Sequence, residues 1–446
     1  MSTHCGYITT LKNVRKHPAA DKLLLGECFG NTVCVNLNYY EGQLGVYFPS
    51  DLQLSVEFAE ANNLLRKKDE NGNNIGGYMD PDKRNVTAIK LRGEKSDGIF
   101  LPLECLASFG DITKLKVGDT ISTFNGHEIC CKYVPKRNER KGHVSEGNKT
   151  RKKKIDVAPL FTEHADTEQL AYNLGAFKPG DEIEITLKMH GTSQRTGRLP
   201  VFKGYKRTLW DKIFRKEGTP IYDWGYVSGT RRTVLENYDG GFYGSNVFRE
   251  QHSKTFEGKL WKGETVYYEV VSFTNTGVPI MGSGKVPKEA QSQYGKEMIF
   301  HYGLTEGSDI YVYRMTMTNE DGDVVEYTPD FMRYRCEQMG VKTVPVMWNG
   351  TIPNSWILSG MPYCPTGDEP EFSAGEWIKN KAEEFYDGPD PIGKTHVREG
   401  VVVRILNRPK FCAYKHKNFL FKQISGIIKD TDNFTTNTTE DILAEM

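Results

Sequence analysis

Lys188 stands in the run "EITLKMHGTS" (184–193), three residues before Gly191. Glu184 to Leu187 have the β-prone character of a strand, and Gly191-Thr192-Ser193 the character of the turn after it. A lysine in that place is either a solvated strand end or a nucleophile held at a cleft mouth, where a glycine lets a ligand come close to the backbone. K-x-x-G occurs too often by chance to decide between them. Five segments downstream carry the argument further. "VSGTRRTV" (227–234) sets Arg231 and Arg232 on a β-prone run, and "VYYEVVSF" (266–273) holds a lone carboxylate, Glu269, inside an apolar strand. "DIYVYRM" (309–315) alternates aromatics, which puts Tyr311 and Tyr313 on one face. "REGVVVRI" (398–405) sets Glu399 and Gly400 directly before an apolar strand, and "AYKHKNF" (413–419) supplies Lys415 and Lys417 on one strand face. Taken singly, each has an ordinary structural reading: an acid ending a ladder, a core tyrosine, a solvated lysine pair. The joint order of lysine, arginine, acid, aromatic, acid–glycine and lysine pair is much harder to explain that way.

The elements that must hold these residues fall into two compositional halves. The 446 residues suffice for two or three domains, and 38% hydrophobic with 26% charged content is that of a soluble globular chain. Residues 1–131 alternate short β-rich pieces with Gly, Asp, Asn and Pro turns, which predicts a small barrel or sandwich. A basic linker follows at 132–154, with ten Lys/Arg against two Glu; the net charge of zero conceals this local block, which suits either phosphate contact or plain solvation. Residues 155–428 mix strand-like runs with helix, and 429–446 form a polar tail. One helix is explicit at 374–386: Ser373 and Glu376 make a capping box, and Ile378, Ala382 and Phe385 follow at helical spacing. The segment 198–224 is aromatic and basic, and reads as a surface insertion.

Other chemistries are set aside by spacing. The nine cysteines include no C-x-x-C pair, which argues against a zinc ribbon or disulfide framework and fits a reducing cytoplasm. No apolar run approaches 18 residues, so no membrane span is expected. "GSGKVP" (282–287) lacks the spacing of a phosphate loop and has no Ser/Thr after Lys285. The histidines show no metal-ligand spacing.

The ordered motif set resembles the covalent nucleotidyltransferase superfamily of ATP-dependent ligases and capping enzymes. Within it, K-M-H-G-T is similar to the RNA ligase branch of the T4 RNA ligase 2 kind. "HPAADKLLLGEC" (17–28) is similar to OB-fold tRNA-binding modules. "KLRGEKSDGIFLPL" (90–103) and "FTEHADTEQL" (161–170) resemble RNA ligases of the Deinococcus/Naegleria type, which carry an N-terminal OB domain. The resemblance runs from about residue 5 to about 425. It implies an α+β chain: an OB-like β-barrel, then a nucleotidyltransferase adenylation domain of antiparallel sheets and helices.

It also implies chemistry. A neutral Lys188 amine attacks the α-phosphorus of ATP, giving lysyl-AMP and pyrophosphate. A free lysine, with pKa about 10.4, is almost wholly protonated at neutral pH. A second cation about 4 Å away disfavours the charged form by roughly 4 kcal/mol, and Lys415, Lys417 and a divalent metal are the candidates to supply it. The same cations neutralise charge on the phosphoryl oxygens. By the resemblance, Leu187, His190 and Gly191 line the nucleotide, Arg232 (or Arg231) holds phosphate, Glu269 contacts ribose, and Tyr313 stacks on adenine. Glu399, with Glu269, would hold Mg²⁺ or Mn²⁺. Ser193 stands where some relatives have Asn.

DNA ligases and capping enzymes carry an OB domain after the lysine pair; here 29 residues follow Lys417, too few for one, so the OB-like unit is expected at the front. There, Tyr39, Tyr40, Tyr47 and Phe48 are available to stack on a strand or to fill a barrel core. The expected activity is sealing of 3′-OH and 5′-phosphate ends in nicked or broken RNA-containing nucleic acid, including tRNA-like or hybrid duplexes, by a monomer. Two alternatives stay open: a catalytically inactive end-binding protein, and a tRNA-binding accessory protein.

Overall fold

In the computed structural model, which describes residues 4–50, 52–68, 74–133, 156–164, 167–214, 218–239, 243, 245–355, 372–425 and 428–429, contacts divide the chain into two units. One comprises the residues up to 145 together with those from 422 onward; the other comprises 146–421. The second unit therefore ends at 421, not at the expected 428. Lys422 instead pairs with Asp97 at 2.5 Å, and Ile428–Lys429 runs parallel to Ala88–Ile89, both within the first unit. The basic stretch beyond Tyr133 and the polar tail beyond Lys429 lie outside the described residues.

The first unit is built from short antiparallel ladders. β1 (Gly6–Thr10), β2 (Lys12–Lys16), β3 (Leu23–Cys28), β4 (Asn31–Asn36) and β5 (Leu44–Phe48) open it, followed by β6 (Ile99–Pro102) and β7 (Thr120–Ile121). They form one sheet of order β6-β5-β1-β7 and a meander β2-β3-β4. Among the described residues these ladders do not join into a closed barrel. Ile8, Val46, Phe48, Leu54 and Phe58 anchor the core, with Phe58 on α1 (Val56–Ala61), which is capped by the Ser55 hydroxyl. Tyr39, Tyr47 and Phe48 are buried, so of the four aromatics considered for strand stacking only Tyr40 is exposed, at 63%.

The second unit packs two sheets. Its strands are β8 (Glu168–Gln169), β9 (Glu182–Leu187), β10 (Thr192–Lys206), β11 (Thr219–Gly229), β12 (Glu264–Ser272), β13 (Ser308–Thr318), β14 (Val324–Glu326), β15 (Lys342–Thr343), β16 (Val346–Thr351), β17 (Gly400–Ile405) and β18 (Cys412–Lys417). One sheet runs β8-β18-β17-β9-β16; the other runs β11-β10-β12-β13-β14, with β15 also on β13. The strand anticipated at 184–187 is β9, and its alternation sets the division of labour. Ile183 and Ile185 enter the core beneath α5 (Ala374–Tyr386), while Glu184 and Thr186 face a pocket. Helix α5 begins as its sequence predicts: the Ser373 hydroxyl accepts from the Glu376 amide, and Trp377, Ile378 and Ala382 are buried. The preceding helices are α2 (Leu209–Ile213), α3 (Val247–Lys254) and α4 (Pro329–Met339). In α4, Thr328 caps a proline start, and Met332, Cys336 and Met339 fall at helical spacing on the core of the second sheet. Among the described residues, no helix is long and apolar enough to cross a membrane.

Candidate active site

The turn after β9 is where the two sheets exchange the chain. Leu187 and Lys188 continue the ladder onto β17: Leu187 pairs Val401, and the Lys188 amide donates to the Gly400 carbonyl at 3.0 Å. The backbone entering the lysine is thus held on the ladder, and its side chain lines the pocket. Gly400 is obligatory for this register. Its φ is +140°, and a Cβ there would lie 2.0 Å from the His416 carbonyl oxygen.

Glu399, one residue earlier, gathers the charges. Its Oε1 lies 2.8 Å from Lys188 Nζ and 3.4 Å from Lys417 Nζ, and its Oε2 lies 3.3 Å from His190 Nδ1. Burial pushes the Glu399 carboxyl up, but Lys188, Lys417 and His190 together hold it well below the usual carboxylate range. Lys188 and Lys417 therefore share one oxygen. The sequence argument set cations directly against Lys188; the structure places a carboxylate between Lys188 and Lys417, because an uncompensated cluster of cations cannot be held in a desolvated site.

His190 is fixed from three directions. Its amide donates to the Tyr302 hydroxyl at 2.6 Å, and its ring meets Phe300 and Phe421 edge-on at 4.5 and 4.7 Å. This burial lowers its proton affinity, against the pull of Glu399.

In front of Lys188 lies a pocket walled by Glu184, Thr186, Lys188, Arg231, Glu269 and Tyr313, with Leu187 and Val402 alongside. Burial pushes the Glu269 carboxyl up to about 7 despite nearby Lys188, and Glu399 adds to the rise. Tyr313 stands across from β9, its hydroxyl 2.9 Å from Ser193 Oγ, with His164 edge-on to its ring at 5.1 Å.

The structure thus brings Leu187, Lys188, Arg231, Glu269 and Tyr313 to one pocket, and His190, Glu399 and Lys417 to its head. Lys415 shares a strand face with Lys417 and with Ala413, which lines the pocket. Arg231 lines the pocket; Arg232 is exposed and is not among its lining residues. Gly191 has a different purpose from the expected one. A Cβ there would meet the Val270 carbonyl at 2.4 Å and Glu269 Cγ at 2.9 Å, so the glycine lets the turn close onto β12. The expected turn at 191–193 is displaced in consequence: Thr192 already begins β10, opposite Val270.

Arg249 is a residue the sequence reading passed over. Nearly fully buried on α3, it donates to Thr192 Oγ1 at 2.5 Å and to the Ser193 carbonyl at 3.1 Å, pinning the start of β10. Glu184, paired with Arg333 at 2.7 Å, and Arg404 also line the pocket. For Glu184 the signal was present: it lies four residues before Lys188, on the same strand face. For Arg249 and Arg404 there was none. Among the described residues, no group of three or more His, Cys, Asp or Glu is placed to hold a metal ion.

No family model matches the chain, and no curated protein sequence matches it. Its fold does match solved structures. Naegleria gruberi RNA ligase with PPi superposes at TM-score 0.55 over 94% of this chain and 97% of that one, at 16% identity. A lysine-to-alanine variant of the same ligase with ATP and Mn gives TM-score 0.54 over 94% and 99%, at 15% identity. A lysine-to-methionine variant with AMP and Mn gives 0.54 over 94% and 98%, also at 15% identity. The likeness spans both units, and the chain has an RNA ligase fold.

Proposed function

We propose that the chain is an ATP-dependent polynucleotide ligase that seals 3′-OH and 5′-phosphate ends in RNA-containing substrates through lysyl-AMP. The observation that carries this reading is the convergence of Lys188, Lys417 and His190 on Glu399 at the head of the pocket lined by Glu269 and Tyr313. Lys188 Nζ attacks the α-phosphorus; an N–P bond forms, the bond to the bridging oxygen breaks, and pyrophosphate leaves. AMP then passes to the 5′-phosphate, and the 3′-OH displaces it. Tyr313 offers a face to the base, Glu269 accepts from ribose hydroxyls, and Arg231 with Lys417 neutralises phosphate oxygens. Lys415, on the same strand face, has the same role.

A divalent cation fits this donor set. Glu399 and Glu269 are hard oxygen donors close enough that Glu399 adds to the rise in Glu269's proton affinity that burial chiefly causes. Mg²⁺ and Mn²⁺ take a few carboxylates and complete their shell with water and substrate phosphates. Bound there, the ion would supply Lewis-acid neutralisation of the triphosphate. The first unit, read as an OB-type module, would position the nucleic acid. Burial of Tyr39, Tyr47 and Phe48 removes most of the stacking surface on which a purely tRNA-binding role would rest.

The test is sealing of a nicked duplex whose 3′-OH strand is RNA. The expected result is an ATP-dependent joined product with a 5′-adenylylated strand as intermediate. Binding of the nick without either species would favour the inactive end-binding reading.

A further inference from the structure

The segment 198–224 takes no part in the nucleotide pocket, yet it is a built structure. β10 and β11 form one long hairpin, paired from Arg195–Gly229 out to Lys206–Thr219 with a register shift between Phe202 and Gly204. Its tip is closed by α2, and Thr208 and Asp211 cap each other there: the Asp211 carboxylate accepts from the Thr208 amide and hydroxyl, and the Thr208 hydroxyl accepts from the Asp211 amide. Helix α2 and the residue after it carry four apolar side chains into solvent: Leu209, Trp210, Ile213 and Phe214 are all more than 60% exposed. Trp210 and Phe214 lie nearly parallel, 14° apart with centroids at 6.0 Å. Below them Tyr205 and Tyr222 each meet Phe202 edge-on.

Charge runs along the same hairpin. Lys203 and Lys206 are exposed and enter no ion pair among the described residues, and Arg207 precedes the tip. Among the described residues of the hairpin, the Asp211 carboxylate is engaged in its cap and Asp223 accepts from the Trp224 amide. Exposed parallel rings flanked by Lys203 and Lys206 are complementary to an unpaired polynucleotide strand: bases stack on the rings, and phosphates meet the lysines. A lipid surface or a second copy would also cover apolar side chains. A polynucleotide strand is favoured because the platform lies on the same β10 that leaves the candidate active site, so one bound strand can reach both.

We propose that the 198–224 hairpin is a second nucleic-acid contact, a stacking platform for unpaired strand remote from the reacting end. The substrate class rests on the ligase reading. β10 starts beside the catalytic turn and runs 15 residues outward. At about 3.3 Å per residue its tip stands up to roughly 45 Å from Lys188. At the stacked rise of about 3.4 Å per nucleotide, about 13 nucleotides cover that distance. Short substrates are then indifferent to the platform and long ones depend on it.

The experiment uses the full chain and fluorescein-labelled nicked duplexes, which anchor at the active site, carrying single-stranded RNA extensions of about 6 and about 24 nucleotides, chosen on either side of that reach, with binding read by anisotropy over a salt series. Trp210→Ala/Phe214→Ala is expected to weaken binding of the long RNA about tenfold or more and leave the short one unchanged. Lys203→Ala/Lys206→Ala is expected to flatten the salt dependence by a log–log slope of about 1.4. Long-RNA affinity within about twofold of wild type, or equal losses for both lengths, overturns the proposal. So does loss of sedimentation with phosphatidylserine-containing vesicles, or of self-association, while RNA affinity stays constant. Should the aromatic variant not fold, the lysine variant decides alone, and an unchanged slope overturns the proposal. Labelling by ATP is followed in parallel: platform-dependent RNA binding without any label would retain this site and reject the ligase reading.

Discussion

The second unit contains two buried carboxylates that use opposite kinds of partner. Glu264, at the start of β12, is fully enclosed and saturated by directional donors. Arg335 Nε and Nη2 reach its two oxygens at 2.8 Å each, the Tyr327 hydroxyl reaches it at 3.0 Å, and the Trp261 amide at 2.7 Å. Arg335 also stacks over Trp261 at 3.8 Å. Glu399 is nearly as buried, but its main partners are two lysines sharing one oxygen. A guanidinium fork is rigid and leaves no valence for a ligand; an ammonium on a flexible stem is a point charge that can change partner. The first arrangement holds helix α4 to the sheet. The second stores charge that a nucleotide can claim.

Breaking the rigid cluster should show most in stability. Arg335→Ala leaves Glu264 buried without its main partner and is expected to cost about 3–5 kcal/mol, read as a lower urea midpoint at unchanged slope. Lys417→Ala should do the reverse. Glu399 retains Lys188 and His190, so the midpoint moves by less than about 1 kcal/mol, while single-turnover adenylylation falls about 10²–10³-fold. Equal stability losses in the two variants would erase the contrast.

A third buried group, His252, is governed by desolvation more than by a charge partner. Burial lowers it from 6.5 to about 4, with its Nε2 2.8 Å from Ser308 Oγ. Its folded proton affinity is below the unfolded one, so its contribution is complete above pH 6.5 and is lost as pH falls towards 4. At about 1.36 kcal/mol per pH unit this is roughly 3 kcal/mol. His252→Gln should flatten the acid side of a stability-against-pH curve over that window. The smallest effect concerns the helix bearing Arg335: Thr328→Ala removes the hydroxyl that accepts from the Phe331 amide and should cost about 1 kcal/mol, read as a small drop in Tm.

Local signals were the ones legible in the sequence. The Ser373–Glu376 box places α5, and the acid–glycine step at Glu399–Gly400 places the site, because each depends on chemistry within a few residues. Pairing across long separations was not legible. Tyr47 and Phe48 are adjacent in β5 and both wholly buried, since this strand is covered on both faces and alternation says nothing there. Glu269 stood out as a lone acid in an apolar run, yet Glu264, five residues earlier, is the more deeply enclosed. Its partner Arg335 lies 71 residues away on another element. Gly191 was visible as a point of close approach, but whether ligand or β12 would occupy the space depends on tertiary contact.

The account stands or falls on Lys188. Full-length protein incubated with α-³²P-ATP and Mg²⁺ or Mn²⁺ should give, on a denaturing gel, an acid-labile band that releases AMP. Lys188→Ala, folded as judged by its thermal transition, should give none. A band that persists in Lys188→Ala, or wild-type protein that takes no label after pyrophosphate treatment has discharged any pre-bound AMP, would contradict it.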